Sequence, residues 1–512
     1  MAPGIREGSR VAAVPISQPA NKLEADRRLG AGAFILIIDS VWLLGMMGWA
    51  LVHPDAILAV IGAAAAWITA VPFVFRTFTF LSPWSLLSLT VHLGGLMRGF
   101  YIAIYPQHAQ DDIERLFLLG QDPGSFLWPG LWYITGLAIA AVAYITVFER
   151  DAVRASRLDT GLVFRDSIVL PTVAFAVIGF VALIAYVQAS GGFSLEDLSS
   201  KRSVIAGLEV GDEYANHGTL RFLNSFGQVA LWAFVAKTVY DDKGFSYFSA
   251  RGLFIFVLAL NAVALPFYSS TRAEVAFILL VVLAIDIGIR RRPPSFVAVL
   301  VGGVVTIFLL VFMTLSRGAS EASESVGASL ASGLEELVVL NRNFGDYFTF
   351  AHVTAAIPDV LDWARGSTII GYLVAPVPRA IWPEKPLISI GPTIGVLVYG
   401  NERSGVPPGW FGEWYWNFGV IGFVLGSILL GVILKSVATS VRSVRWDNPV
   451  FVVFYAVVFF RFGYFAIGGG IGSSVFKSVV QMVILLTFLA VATRRPNSDP
   501  SDSGKTKYFA RK

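Results

Sequence analysis

Two short segments of the chain combine charge with a stiff aromatic backbone. Residues 376–386 read PVPRAIWPEKP, which sets Arg379 and Lys385 on a proline-rich stretch beside Trp382. An Arg fork grips phosphate through paired hydrogen bonds, and a Lys adds a point charge. Trp382 can stack on a sugar ring. The same residues suit an interfacial anchor facing lipid headgroups, and residue chemistry alone leaves both uses open. Residues 404–419 read SGVPPGWFGEWYWNFG, with Glu413 expected where a loop becomes a helix. A carboxylate there either favours the helix dipole or serves as a general base in an apolar setting. Trp410, Trp414, Tyr415 and Trp416 suit a sugar platform or an interfacial belt, the belt being the commoner use.

Other charged positions stand out by their place in the hydropathy pattern. Residues 199–202 read SSKR and residues 269–272 read SSTR, at turns between apolar runs. Lys201, Arg202 and Arg272 fall on the side that topology makes non-cytoplasmic, where basic residues are disfavoured. Arg461 lies well inside an apolar run. An Arg there is expensive, and it marks either a functional cavity or a structural ion pair, for which Asp39 and Glu413 are candidate partners. Arg98 resembles it but can snorkel outward. His92 and Asn224 are weaker candidates. His352 is a second candidate base, although a lone His is more often structural.

The elements that must hold these residues are apolar helices. Of 512 residues, 55% are hydrophobic and 14% charged, and mean hydropathy is +0.67. A soluble domain carries about 25% charged residues. The absence of cysteine excludes disulfides and thiolate zinc sites. Stretches of about 20 apolar residues suffice to span a bilayer. They fall near 31–52, 55–75, 83–105, 126–148, 167–189, 219–240, 251–269, 273–289, 295–316, 414–436, 449–469 and 473–493. The first reads as a retained anchor after a polar N-terminus. The returns after even-numbered spans are basic: Arg76; Arg150, Arg154, Arg157 and Arg165; Lys237, Lys243 and Arg251; Arg290 to Arg292; Lys435, Arg442 and Arg445; Arg494 and Arg495. By the positive-inside rule both termini are cytoplasmic.

The expected fold is therefore an all-α polytopic integral membrane protein of about 12 transmembrane helices. Residues 1–30 and 494–512 are expected to be disordered and cytoplasmic. Spans one to nine occupy 31–316 and spans ten to twelve 414–493. Residues 317–413 form one large extracytoplasmic loop. A loop of that length in a compact protein is expected to be folded and functional, with apolar helical stretches near 328–340 and 345–362. The glycines at 468–470 read as a helix end.

No phosphate-binding Gly-rich loop, dinucleotide fingerprint, HExxH or metal-ligand spacing is present. The basic surplus sits in short returns, so it is no nucleic-acid footprint. Three motifs, PRAIWPEKP at 378–386, GEWYWNFGVIG at 412–422 and SSTRAE at 269–274, supported by SKR at 200–202, resemble those of the bacterial O-antigen and exopolysaccharide repeat-unit polymerases, the Wzy-type family. The expected topology, including the single large late loop, agrees with that family along nearly the whole chain.

That resemblance implies a GT-C-like, metal-independent membrane glycosyltransferase in the bacterial cytoplasmic (inner) membrane, with no cofactor. Its substrates would be undecaprenyl-diphosphate-linked oligosaccharides, polymerised on the outer face. Chain-length regulator and flippase proteins would be its partners, alongside membrane lipids. By position, Arg272, Arg379, Lys385, Lys201 and Arg202 would bind diphosphate or sugar, with Trp382, Trp410 and Arg461 facing the same cavity. Glu413 would be the base, with His352 as alternative because related ligases use a His. Competing readings are an O-antigen ligase, a transporter or flippase of lipid-linked sugar, and a scaffold in a polysaccharide assembly complex.

Overall fold

A computed structural model describes residues 19–53, 56–75, 81–105, 126–147, 162–189, 212–269, 271–292, 296–318, 347–374, 377, 382, 390–399, 406–442 and 448–495. Helices occupy each of the twelve apolar intervals. They are α1 (Pro19–Ala50), α2 (Ile57–Phe75), α3 (Pro83–Ile104, with a π-turn at His92–Met97), α4 (Leu127–Thr146), α5 (Val169–Ala189) and α6 (Asp212–Asp241). Then follow α7 (Ala250–Tyr268), α8 (Arg272–Arg290) and α9 (Phe296–Gly318). Three short helices come next: α10 (Tyr347–Ala356), α11 (Ser367–Leu373) and α12 (Ile390–Leu397). The last are α13 (Gly409–Arg442), α14 (Pro449–Ile471) and α15 (Lys477–Ala492).

Nine helices among the described residues are long and apolar enough to cross a membrane. The chain is thus an all-α, multi-pass membrane protein. In α8, Arg272, Glu274, Asp286 and Arg290 break the apolar run, and the apolar stretch of α9 is the shorter Gly302–Met313.

Helix starts follow local chemistry. Ser82 caps α3 by accepting from the Ser85 N–H at 3.1 Å, with Pro83 next. Asn448 caps α14 by accepting from Val450 at 3.0 Å, again followed by proline. Each cap satisfies a backbone donor that the first helical turn leaves open.

The bundle has a spine. In α14, 88% of the most apolar stretch is buried, against 17% in α1 at the edge. Val452, Val453, Ala456 and Val457 of α14 join one core cluster with α5, α6, α7, α8 and α15. Phe462, Ala466, Ile467 and Ile471 join a second, with α2, α3, α4, α10 and α13.

Two backbone reversals shape the region of interest. In α13, Phe418 and Gly419 leave the helical region, Gly419 with φ 61° and ψ −148°. The indole N–H of Trp410 donates to Gly426 O at 2.8 Å, sixteen residues away. A straight helix would separate these residues by about 24 Å. The Phe411 and Phe423 rings also meet, at 5.6 Å. Residues 409–417 are therefore a short arm folded back along residues 420–442. The second reversal is at Gly470, with φ 79°. Across it the Ser478 hydroxyl donates to Val458 O at 3.1 Å, so α14 and α15 form a tight helical hairpin with Gly470 at its tip.

One end of the bundle gathers the basic returns. Strands β1 (Val163–Phe164) and β2 (Thr493–Arg494) pair antiparallel. Asp166 meets Lys237 at 3.5 Å and Arg494 at 3.7 Å. Arg290 reaches Asp286, Lys243 O and Phe245 O at 2.8, 2.6 and 3.0 Å. The returns after the fourth, sixth, eighth and twelfth intervals thus share one end.

Some expectations change. Helix α1 starts at Pro19, inside the polar segment expected to lack order. Lys435 is not in a return but 2% exposed inside α13, its ammonium over the Tyr144 ring. The stretch near 328–340 and the tail from 496 lie outside the described residues.

The reversal at Gly419 needs a conformation that costs other residues about 1–3 kcal/mol. Gly419→Ala should lower stability by that amount, read as a fall in the thermal midpoint of the detergent-solubilised protein. An unchanged midpoint would contradict the left-handed turn.

Candidate functional site

The end away from the basic returns holds a buried charge cluster. Arg461 of α14 is fully buried, and its Nη2 and Nη1 donate to the two Glu274 oxygens at 2.5 and 3.2 Å. Its Nε donates to Gln481 Oε1 at 2.9 Å, and Gln481 Nε2 donates to Gln228 Oε1 at 2.9 Å. The guanidinium also lies over the Phe277 and Phe465 rings. The expected partners Asp39 and Glu413 are both otherwise engaged. Asp39 pairs with His92 at 3.1 Å.

Lys477, whose side chain is 42% exposed, meets the same Glu274 at 3.5 Å. Arg221 is close enough to repel the Lys477 charge, and its guanidinium donates to Tyr186 OH at 2.8 Å. Arg272, half-buried at the start of α8, is two residues from Glu274. Two cations, Arg461 and Lys477, therefore share the Glu274 carboxylate, with Arg221 near Lys477. Helix polarity sets the cluster's depth: Glu274 and Arg290 sit at opposite ends of α8, and Lys477 and Thr493 bracket α15.

Glu413 sits within the folded-back arm, not at the start of the span, because the helix reverses five residues later. It is fully buried. Its Oε1 accepts from the Thr368 hydroxyl at 3.1 Å and its Oε2 from the Ile471 N–H at 2.8 Å. The Gly470 reversal places that N–H against Glu413. The Tyr372 hydroxyl is a third donor. Burial, and then the carboxylate itself, push this phenol up from its ordinary range, so it keeps its proton. Asn417 adds bonds from Nδ2 to Thr368 Oγ1 at 2.8 Å and to Glu413 O at 2.7 Å, and accepts from the Gly366 N–H at 2.8 Å.

The other candidates have distinct fates. His352 is fully buried on α10, its Nδ1 2.7 Å from Tyr399 OH. Trp410 is 1% exposed, which leaves it neither an open platform nor an interfacial belt residue. Trp382 is 40% exposed. Arg98 does not snorkel; it is buried, 4.6 Å from the Phe348 ring centroid. Arg379, Lys385, Lys201 and Arg202 lie outside the described residues. Among the described residues no group of three or more His, Cys, Asp or Glu is placed to hold a metal.

Sequence reading missed Glu274, Lys477, Arg221, Gln481 and Gln228 as one unit. The signal was available for the first two: a carboxylate and an ammonium inside otherwise apolar runs, next to a buried Arg. No family model, curated protein or solved structure matches the chain.

Removing one partner of a buried ion pair strands the other charge and costs about 3–5 kcal/mol. Glu274→Ala should lose stability on that scale, whereas Lys477→Ala, half-exposed, should lose far less. Equal losses in denaturation of the solubilised protein would contradict this ranking.

Proposed function

We propose that the protein polymerises undecaprenyl-diphosphate-linked oligosaccharide repeat units on the outer face of a bacterial cytoplasmic membrane. The twelve helical intervals are its spans, the basic end is cytoplasmic, and the segment 317–413 is extracytoplasmic. The observation that carries this reading is the pair of cations, Arg461 and Lys477, on the one carboxylate of Glu274, with Arg221 near Lys477 and Arg272 at the start of the same helix as Glu274. A lipid diphosphate needs an apolar bundle beside its tail and cations at its headgroup.

In the proposed reaction the acceptor hydroxyl attacks the anomeric carbon of the donor chain. The new glycosidic bond forms as the bond to the diphosphate breaks, and the hydroxyl proton passes to a base. Glu413 and His352 are the two candidates for that base. Fixed cations stabilise charge as it develops on the leaving diphosphate. Arg379, Lys385, Lys201 and Arg202 would add to this set, with Trp382 against a sugar. Loss of one such group should raise the barrier by about 2.7–4 kcal/mol, by analogy with a lost oxyanion donor.

Ligation to lipid A core is the second enzymatic reading, and it shares the substrate. A deletion strain separates them: a polymerase mutant leaves a single repeat unit on the lipid core, and a ligase mutant leaves none. A transporter would gather its substrate groups at the midplane on paired broken helices. The outer position proposed for the cations favours an enzyme.

Purified protein should extend a lipid-diphosphate repeat unit in vitro, and Arg272→Ala, Arg379→Ala and Glu413→Gln should each suppress extension. Normal chain length in all three would remove this site assignment.

A further inference from the structure

Asp39 and His92 form a second intramembrane pair, on other helices than the Glu274 cluster. Each lies near the middle of its span, Asp39 in Gly30–Ala50 of α1 and His92 in Pro83–Ile104 of α3. Asp39 is 3% exposed. His92 Nε2 stands 3.1 and 3.3 Å from the two Asp39 oxygens, and among the described residues it is the hydrogen-bond partner of that carboxylate. His92 Nδ1 stands 2.7 Å from Ser88 O. The π-turn of α3 begins at His92, and such turns are frequent at functional sites. Ionisable groups within a span are expensive, and Asp and His there mark proton handling by default.

The hydrogens around the ring can be counted. A backbone carbonyl only accepts, so Ser88 O offers Nδ1 none. The other atom near Nδ1 is Ser88 Oγ, at 3.4 Å. That hydroxyl is paired with Thr69 Oγ1 at 3.0 Å, and the Thr69 hydroxyl gives its own hydrogen to Ala66 O at 2.8 Å. Ser88 therefore donates to Thr69, and Nδ1 must carry a hydrogen itself. Nε2 faces a carboxylate, which when ionised also only accepts. A singly protonated ring beside an ionised Asp39 would set a nitrogen lone pair against oxygen lone pairs and leave a net negative charge inside the span. One further proton removes both penalties, whether it rests on Nε2 or on the carboxyl.

The surroundings supply no competing charge among the described residues. Helix α2, which packs on both α1 and α3, has no titratable residue. In α3, Arg98 lies over the Phe348 ring and Tyr101 against Tyr105. The two other helices packed on α3 have their charges engaged elsewhere: Arg461 of α14 on Glu274, and Glu413 and Lys435 of α13 on the Ile471 N–H and over Tyr144. The Tyr455 hydroxyl of α14 donates to Leu81 O.

We infer that Asp39 and His92 are one proton-binding site at mid-span, and that its proton docks α1 on the bundle. Only 17% of the apolar stretch of α1 is buried. Its other ties are the Trp67 indole, which donates to Ser40 Oγ at 2.9 Å, and Gly32 against the Phe73 backbone. With the proton bound, the pair is neutral overall and holds α1 to α3. When the proton leaves, the remaining charge favours separation of the two helices.

Histidine-ring 15N spectra of the full-length protein in nanodiscs test the protonation. The chain has five histidines, and the His92 signals are those lost in His92→Gln. At pH 7.5 both His92 nitrogens should carry hydrogens, and Asp39→Asn should leave only one. A singly protonated ring, together with a protonated-carboxyl infrared band that Asp39→Asn removes, puts the same proton on Asp39 and supports the site. A singly protonated ring without that band overturns it.

Hydrogen exchange at residues 36–43 tests the docking. His92→Leu strands the Asp39 carboxylate, and exchange should rise about a hundredfold or more, the scale of a broken buried pair. The double variant Asp39→Leu with His92→Leu removes charge and partner together, and exchange should stay within about tenfold of the unaltered protein. Equal exchange in the single and double variants overturns the docking role. Should His92→Leu alone fail to fold, folding of the double variant supports the pairing, and failure of both overturns it. Neither measurement involves lipid-linked sugar, so both stand apart from the proposed polymerisation.

Discussion

A charge sealed inside an apolar bundle must be paired, and Arg461 imposes that demand on four helices. Its guanidinium takes both oxygens of Glu274 from α8, and Gln481 of α15 fills its Nε. Gln481 in turn is bonded to Gln228 of α6. Bidentate geometry and satisfied flanking groups are the conditions under which a buried pair offsets its desolvation. Because α14 is the spine shared by both core clusters, this one pair sets how the α5–α8 side of the bundle meets the α14–α15 hairpin. The cations that gather beside it, Lys477 and Arg221, then share one boundary between apolar interior and exposed surface.

The second constraint is that a broken helix in an apolar setting must find partners for its freed backbone groups. The reversal at Gly470 frees the Ile471 N–H, and Glu413 accepts from it. The reversal at Gly419 folds the arm so that Glu413 reaches that tip and α11 together. Backbone breaks and a buried carboxylate are thus one arrangement, in which each accounts for the other.

Much of the helix layout was legible because spans are set by local composition. Every apolar interval holds a helix, and most basic returns meet at one end through Asp166, Arg290 and the β1–β2 ladder. What failed depends on tertiary contact. Residues 414–436 read as one helix after a loop, and only the positive φ at Gly419 reveals the fold-back. A Trp-rich run looks like a belt, yet Trp410 is spent inside on Gly426. Arg461 was recognisable as a buried cation, but its partner 187 residues away was not, since any carboxylate in an apolar run would qualify. Glu413 stands in GEWYWNFGVIG at 412–422, but nothing in that motif reveals how its junction with α11 and the Gly470 tip is built.

The central claim is that the basic end faces the cytoplasm while the Glu413 junction and the Arg461–Glu274–Lys477 cluster face outward. The chain contains no cysteine, so single-cysteine labelling needs no background removal. Phe248→Cys, at a fully exposed turn of the basic end, and Leu373→Cys, 77% exposed at the end of α11, are the informative pair. With a membrane-impermeant maleimide on spheroplasts, Leu373→Cys should label at once and Phe248→Cys only after permeabilisation. The reverse pattern, or equal labelling of both in sealed spheroplasts, would contradict this orientation and with it the proposed outer-face chemistry.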